Sequence, residues 1–269
     1  MIIQHLDGTQ IDIAQHSLRR LYHHIPSLTM QHDTVTVDGR HGLIFLGSTY
    51  GERQITVELL YEAYDIYDYY LIRDEVNALF TSQQEYYIIF KNEPYKRYKV
   101  KLASDFEVPP HERMSAFEVV FTCVEIFAEA IAITTDIKAW DVDKWAWNGA
   151  ITWDDNLKYS FNTNSFTVKN LGNVTIDPRQ HELEMILKGT FSNSVTITNN
   201  TTGDVYIYNG ALSSNDELRL KGIQTFKNGV SAFKNTNKKL ITLAPKENNF
   251  TITGGTISSV VFNFRFLYK

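Results

Sequence analysis

The sequence predicts a mainly β protein with one helix, and the helix falls in the first half. Short apolar runs alternating with polar residues recur through the chain, and turn-forming residues separate them. Aromatic residues make up 13% of the 269 residues, which suits pleated sheets and buried interfaces. Near residue 132 the composition changes from Tyr-rich and charged to rich in Asn, Thr, Gly and Ser. We therefore predict two domains, 1–132 and 133–269.

The first domain is predicted to contain a helix over about residues 65–80. Asp65 can cap the helix N-terminus, and Asp68 adds negative charge where the helix dipole favours it. An apolar stripe at helical spacing consists of Ile72, Val76, Leu79 and Phe80. Tyrosines spread around the first turns, so some rings must face a partner or solvent. These are Tyr61, Tyr64, Tyr67, Tyr69 and Tyr70.

Alternating runs predict strands on both sides of this helix. The runs are Ile55–Leu59, Tyr86–Phe90, Tyr98–Leu102 and Phe117–Val124. In the third run apolar and cationic residues alternate strictly, which predicts one buried and one solvated face. Cys123 lies on the apolar face of the last run, and we expect it to be an inert core residue.

The second domain is predicted to be an all-β sandwich or barrel, since its short apolar runs are closely spaced. The runs are Phe166–Val168, Leu183–Leu187, Val195–Ile197, Val205–Tyr208, Leu218–Leu220, Leu240–Leu243, Phe250–Ile252 and Val260–Leu267. Asn228-Gly229 is a strong hairpin signal, because both residues accept positive φ. Gly254-Gly255 is a further turn signal. Two turns about forty residues apart, Asn199–Gly203 and Ala244–Asn249, are predicted to join strands of the sandwich.

The bulk properties exclude several classes of function. The net charge of −5 does not provide the basic face that nucleic-acid binding needs, so no specific nucleic-acid binding is expected. One cysteine excludes an internal disulfide framework. The N-terminal residues do not form a signal peptide, and no apolar stretch approaches the ~20 residues that span a bilayer. We expect synthesis in a cytoplasm, no signal of its own for secretion, and no membrane insertion.

Motifs for catalysis, cofactors or metals are not found in the sequence. No glycine frame ends in the Gly-Lys-Ser/Thr of a phosphate-binding loop. His181-Glu182 begins a zinc-protease motif, but Met185 occupies the position of its second His. His23 and His24 are adjacent, so they point to opposite sides of a strand and rarely bind one ion. We predict no catalytic, cofactor-binding or metal-binding residues.

A cluster of tryptophans and aspartates after residue 132 is the one candidate for sugar binding. Tryptophan faces suit pyranose rings, and the speculative carbohydrate-binding residues are Trp145, Trp147, Trp153 and Asp154. The pairs Asp141/Asp143 and Asp154/Asp155 could serve a glycosidase if their carboxylates lie ~5–10 Å apart. The plainer interpretation is that the tryptophans pack the two domains together. An acidic set on and before the helix is interpreted as a solvated helix face: Glu58, Glu62, Asp65, Asp68, Asp74 and Glu75.

Taken in order, these features resemble the distal tail proteins (Dit) of long-tailed, non-contractile bacteriophages that infect Gram-positive cocci such as staphylococci. In the first half the resemblance rests on Gly47–Arg53, the acidic Tyr-rich helix, Glu93–Val100 and Phe117–Cys123. In the second half it rests on Trp145–Trp147, Phe166–Gly172 and the two turns. Lys246 departs from the family, which often has Gly there. Because Lys disfavours positive φ, we expect a type I turn at this point.

The resemblance implies a particular architecture and function. The N-terminal domain would be a split barrel or β-sandwich with a helix, and the C-terminal domain a galectin-like β-sandwich. The chain would form a homo-hexameric ring in the tail tip, or baseplate, of the virion. That ring would join the tail tube protein to the tail-tip and receptor-binding proteins used in host attachment, with DNA passing through its channel. The alternative is a cell-wall carbohydrate-binding module or adhesin domain, and a glycan hydrolase is the weaker third hypothesis.

Overall fold

The computed structural model describes residues 1–110, 113–136, 144 and 157–269. The chain divides into two compact units, Met1–Ala128 with Lys269, and Glu129–Tyr268. The described residues are mainly β with one α-helix, so the predicted fold class is confirmed.

The N-terminal unit is built on one antiparallel sheet with strand order β2-β1-β7-β8-β9-β6-β3. The alternation of buried and exposed residues along β6 and β9 places the apolar side chains of both strands on one face. The elements are β1 (Ile2–His5), β2 (Gln10–Asp12), a 3-10 helix (Ile13–His16), β3 (Leu18–His24), β4 (Met30–Val35), β5 (Ile44–Tyr50), β6 (Gln54–Glu62), α1 (Ile66–Phe80), β7 (Tyr86–Ile89), β8 (Lys96–Leu102) and β9 (Met114–Cys123).

Helix α1 begins and packs as the sequence predicts. The Asp65 side chain accepts hydrogen bonds from the backbone N–H groups of Tyr67 and Asp68, both at 2.9 Å. All four residues of the predicted stripe are buried. Phe80 contacts Phe121 of β9 with 5.8 Å between ring centroids. The helix therefore covers the apolar face of the sheet, and this contact forms the core of the N-terminal unit.

The C-terminal unit contains eight strands of one connected antiparallel sheet and two further short strands. Its elements are β10 (Ala128–Ala130), β11 (Ser160–Phe161), β12 (Ser165–Asn170), β13 (Leu183–Asn199), β14 (Asp204–Asn209), β15 (Glu217–Lys221), β16 (Gln224–Lys227), β17 (Val230–Ser231), a 3-10 helix (Phe233–Asn235), β18 (Lys246–Phe264) and β19 (Leu267–Tyr268).

Two long strands run through this unit where the sequence predicted four short ones. β13 has 17 residues and joins two predicted runs, and β18 has 19 residues and does the same. The predicted turn at Gly254-Gly255 is therefore wrong. The physical reason is a close approach of the two strands, since a Cβ on Gly255 would lie 2.1 Å from the carbonyl oxygen of Thr190. Glycine here marks an irregularity inside a strand, not its end.

These irregularities let each long strand contribute to both layers of a sandwich. The first half of β18 pairs with β12, and its second half pairs with β11. β13 likewise pairs with β15 through its first half and with β14 through its second. Phe250 and Phe262, from the two halves of β18, contact each other with 5.0 Å between ring centroids. The two halves therefore face each other across the core.

The two turns noted in the sequence meet at one end of this sandwich. The buried side chain of Asn199 donates to the side-chain oxygen of Asn248 at 3.2 Å. The backbone N–H of Asn200 donates to the carbonyl of Asn249 at 2.8 Å. Each turn thus satisfies polar groups of the other, which the buried side chains of Asn199 and Asn248 require.

Three local conformations predicted from the sequence can be compared with the structure, and only one of them is confirmed. Asn228 and Gly229 both have positive φ and join β16 to β17, so the hairpin is confirmed. Lys246 has φ of 73°, so the expected type I turn is wrong. The reason is that Asn248 binds both the N–H and the carbonyl of Ala244, which holds the turn in this form. The predicted strand over 240–243 is reduced to a single bridge to Ile176.

Candidate interaction surfaces

Exposed large apolar side chains are distributed unevenly over the described residues. The C-terminal unit carries four of them: Val205, Ile223, Val230 and Phe233. The N-terminal unit carries the other seventeen, and most of these form two groups. Contiguous exposed apolar surface is a mark of a protein interface. We therefore take the two groups as the candidate functional surfaces.

The first group lies on the hairpin of β4 and β5, which we call the arm. It pairs with no other strand of the described chain and forms a two-stranded sheet of its own. Every residue of β4 is exposed. Phe45 and Leu46 are adjacent, so they point to opposite faces, yet they are 61% and 65% exposed. Neither face of the arm is therefore covered by the unit that carries it.

The arm exposes more apolar side chains than is expected of a hairpin that contacts only water. A lone two-stranded hairpin is at best marginally stable in water. The arm gains an internal contact between the rings of His32 and Phe45, whose centroids are 5.7 Å apart. Five more of its apolar side chains are exposed. These are Met30, Val35, Val37, Leu43 and Leu46.

The second group lies on the outer side of helix α1, and we call it the tyrosine surface. It consists of Tyr64, Ile66, Tyr67, Tyr70 and Leu71. Tyr67, Tyr70 and Leu71 are spaced i, i+3 and i+4, so they share one side of the helix. Tyr64 and Tyr67 are 79% and 77% exposed. Tyrosine is enriched at protein interfaces, because its ring buries a large area with a polar tip.

The acidic set on this helix has local structural roles. Asp68 accepts a hydrogen bond from the backbone N–H of Tyr64 at 2.7 Å, in addition to the capping role of Asp65. Asp74 forms an ion pair with Arg73 at 2.8 Å. Glu75 contacts His16 at 3.2 Å. These contacts fit the interpretation of a solvated helix face.

The sequence reasoning did not find the arm. It cited Gly47–Arg53, which includes the end of β5, but drew no strand from the preceding residues. The missed signal is Leu43-Ile44-Phe45-Leu46, four consecutive apolar residues between turn-rich segments. Such a run has no period, and it can equally predict a buried strand. The exposure of this run is visible only in the structure.

The histidines considered as metal ligands lie in separate places. The ring of His23 stacks on Phe90 with 4.0 Å between centroids, and its Nδ1 accepts from Arg20. Burial and the nearby Arg20 lower the pKa of His23. His24 is exposed, and Met185, three residues beyond Glu182, is buried. Among the described residues, no group of three His, Cys, Asp or Glu side chains could hold a metal ion.

Cys123 lies in the core, as its strand pattern predicts. It is buried, and burial raises the pKa of its thiol to about 11. A thiol with that pKa is fully protonated near neutral pH, so it is a poor nucleophile.

The predicted sugar-binding residues Trp145, Trp147, Trp153 and Asp154 lie outside the described residues. The same holds for the carboxylate pairs Asp141/Asp143 and Asp154/Asp155. Within the described part of the chain, no helix is both long and apolar enough to cross a bilayer.

Comparisons with known proteins match part of the chain to a domain family and the whole chain to solved structures. Residues 6–123 match the model of the phage tail protein RIFT-related domain. No curated protein matches the chain significantly.

Among solved structures, the Dit protein (gp 19.1) of phage SPP1 is similar over 98% of both chains, with a TM-score of 0.70 and 13% identity. That protein is described as a paradigm of the hub adsorption apparatus in phages that infect Gram-positive hosts.

Two structures of the phage p2 baseplate in its activated conformation, with Sr and with Ca, match more weakly. Their TM-scores are 0.45, with 10% and 11% identity, over 98% of this chain and 96% of theirs. Residues 6–123 thus match the phage tail RIFT-related domain, and the whole chain has the fold of SPP1 Dit, which confirms the resemblance drawn from the sequence.

Proposed function

We propose that this chain is the structural hub of a phage tail tip, or baseplate, in the virion. Residues 1–132 form a homo-hexameric ring, and residues 133–269 project from it as a galectin-like sandwich. The ring joins the tail tube protein to the tail-tip and receptor-binding proteins used in host attachment, and DNA passes through its channel. The net charge of −5 gives the ring little attraction for that DNA.

The observation that carries the proposal is the pair of separate apolar surfaces on the N-terminal unit. A closed ring needs a head-to-tail interface, in which each copy presents two different patches. The arm and the tyrosine surface supply two such patches, on a hairpin and on a helix. The arm of one copy, seated against the next copy, would cover side chains that its own unit leaves exposed.

The test is the mass of the purified full-length chain by light scattering, with negative-stain images of the same sample. A ring of six copies of the 31.0 kDa chain has a mass of about 186 kDa. The double variant Phe45→Ser/Leu46→Ser removes the two most exposed apolar groups of β5. We expect it to be monomeric, with an unchanged circular dichroism spectrum.

The matched control is Val230→Ser, which removes an exposed apolar side chain from the C-terminal unit. We expect it to assemble like the wild-type chain. A wild-type chain that stays monomeric, alone and with its tail partners, would contradict the ring. If the arm variant still forms rings, assembly occurs without the arm.

Sugar binding by the Trp/Asp segment is the alternative function, and the composition of that segment is what favours it. Trp145→Ala or Trp153→Ala in the full-length chain should then weaken binding to purified cell-wall glycan. Unchanged binding would count against Trp145, Trp147, Trp153 and Asp154 as the site. Measurable release of sugar from purified cell wall would instead support the glycan hydrolase.

A further inference from the structure

A cleft in the C-terminal unit, lined by both polar and apolar side chains, shares no residue with the arm or the tyrosine surface. Its volume is about 630 Å³, within the ~300–1,000 Å³ that small-molecule sites occupy. Three segments form it: the loop that leads into β13, the turn between β15 and β16, and the end of β18. The side chains used below are those of Gln180, His181, Glu184, Ile223, Gln224 and Asn263.

One wall of the cleft is held rigidly by Asp177. Its carbonyl accepts hydrogen bonds from the backbone N–H groups of Gln180 and His181, at 3.0 and 2.8 Å. Its carboxylate accepts hydrogen bonds from Nε and Nη2 of Arg179, at 3.0 and 2.6 Å. The backbone of this loop is therefore held by hydrogen bonds before any ligand arrives, which reduces the entropy lost on binding.

His181 presents a defined hydrogen-bonding pattern in this wall. The backbone N–H of Asp177 donates to its Nδ1 at 3.2 Å, so the neutral ring carries its hydrogen on Nε2. Burial lowers the pKa of His181, which keeps the ring neutral at pH 7. The half-buried imidazole therefore stays an uncharged polar group.

The opposite wall holds an acceptor and an amide side by side. Glu184 and Asn263 are cross-strand partners on β13 and β18. The Asn263 side chain donates to the Glu184 carboxylate at 3.4 Å. Arg219 lies 3.5 Å from the same carboxylate and pairs more closely with Glu217, at 2.8 Å. This wall offers hydrogen bonds without a strong net charge.

Charge balance across the cleft selects the class of ligand. The cations of its lining are Arg179, Lys221 and Arg265, and its carboxylates are Glu182 and Glu184. Since Asp177 neutralises Arg179, the lining has little excess charge to attract an anionic polymer. Ile223 is 57% exposed and adds an apolar surface to a lining that also includes Gln180 and Gln224.

We propose that this cleft binds a neutral polyhydroxyl compound, one or two sugar units of a glycan chain. Amides, a neutral imidazole and a paired carboxylate match the alternating donor and acceptor character of hydroxyl groups. The C–H face of a sugar ring fits against Ile223. This site shares no residue with the arm or the tyrosine surface, and it uses none of the residues Trp145, Trp147, Trp153 and Asp154.

The test is binding of the full-length protein to neutral oligosaccharides of glucose, galactose, N-acetylglucosamine and rhamnose, measured by calorimetry. Poly(glycerol phosphate) serves as the anionic probe. We expect at least one neutral oligosaccharide to bind, and the double variant Gln180→Ala/Gln224→Ala to weaken that binding about tenfold or more. Both glutamines are exposed, so the variant keeps its fold. Asn193→Ala, an exposed amide of β13 outside the cleft, is the matched control and should bind normally.

Three results would overturn the proposal. These are binding to none of the sugars, binding to poly(glycerol phosphate) alone, and full binding by the double glutamine variant. If Trp145→Ala abolishes binding while the glutamine variant retains it, the sugar site is the tryptophan segment. The ring hypothesis is tested separately by the mass of the same samples, which the glutamine variant should leave unchanged.

Discussion

The two units of this chain bury their apolar side chains to very different extents. The C-terminal unit packs the ring of Phe262 against both Phe166 and Phe250, and within the described residues it exposes few large apolar groups. The N-terminal unit also has a core, but it leaves Phe45 and Tyr67 facing solvent. Both units are antiparallel β structures, so the fold class does not explain the difference. What differs is which apolar residues a unit can cover by itself.

A unit that leaves apolar side chains exposed needs a neighbour to cover them. Fully burying a large apolar side chain contributes roughly 1.5–3 kcal/mol. In the monomer the arm therefore lacks the stabilisation that burial of these side chains would supply on assembly. The C-terminal unit has little to gain in this way, because few large apolar side chains are exposed among its described residues.

The largest expected effect compares two phenylalanines, one from each unit. Phe262→Ala should lower the free energy of unfolding by about 3–5 kcal/mol, because it leaves a cavity among packed rings. Phe45→Ala should change that of the monomer by less than about 0.5 kcal/mol, because its ring is already exposed.

Denaturant titration at a protein concentration where the chain is monomeric measures both values. A large loss of stability for Phe45→Ala would mean that the arm packs within its own chain, and the contrast between the units would fail.

A second comparison uses two strand glycines. Gly255→Ala should lower the free energy of unfolding by about 3 kcal/mol, because its Cβ would meet the Thr190 carbonyl oxygen at 2.1 Å. Gly47→Ala, in β5 of the arm, should be nearly neutral, since nothing lies within 4 Å of the added atom. Thermal unfolding of the two variants tests this. Equal effects would show that the two long strands tolerate separation at Gly255.

A smaller effect is expected at the two turns of the C-terminal unit. Lys246→Gly should raise the free energy of unfolding by about 1 kcal/mol, because Lys pays a steric cost at φ of 73°. Gly203→Ala should lower it by about the same amount, since Gly203 has φ of 79°. Chemical denaturation measures both changes. A destabilised Lys246→Gly would show that the Lys246 side chain makes a contact that outweighs its strained backbone.

The smallest effect is a pH dependence in both units. Burial lowers the folded-state pKa of His23 and of His181 below the ordinary value of 6.5. The unfolded chain therefore binds protons first as the pH falls, so stability is retained above about pH 6.5 and lost as the pH falls through the folded pKa values. His23→Gln and His181→Gln should each remove part of this slope between pH 7 and pH 5, measured by thermal unfolding. An unchanged slope would show that the imidazole in question is solvated.

Features that depend on interactions within a few residues were predictable from the sequence, and features that depend on distant segments were not. Asp65 and the stripe from Ile72 to Phe80 were predictable, because capping and helical periodicity act within a few residues. The continuity of β18 through Gly254 was not, since it depends on a strand that lies sixty residues earlier in the chain. The type I turn predicted at Lys246 was wrong for the same reason. Asn248 and Asn199 hold this turn through contacts that a local propensity does not include.

By itself, the sequence determined the fold class, the bounds and cap of the helix, the buried face that carries Cys123, and the hairpin at Asn228-Gly229. These follow from periodicity and from the φ that each residue accepts, which are local properties. Only the tertiary structure decided that Leu43–Leu46 is exposed, that two long strands serve both layers of a sandwich, and that Glu184 and Asn263 line one cleft. Burial and cross-strand pairing depend on which distant segments meet, and no pattern within a single segment contains that information.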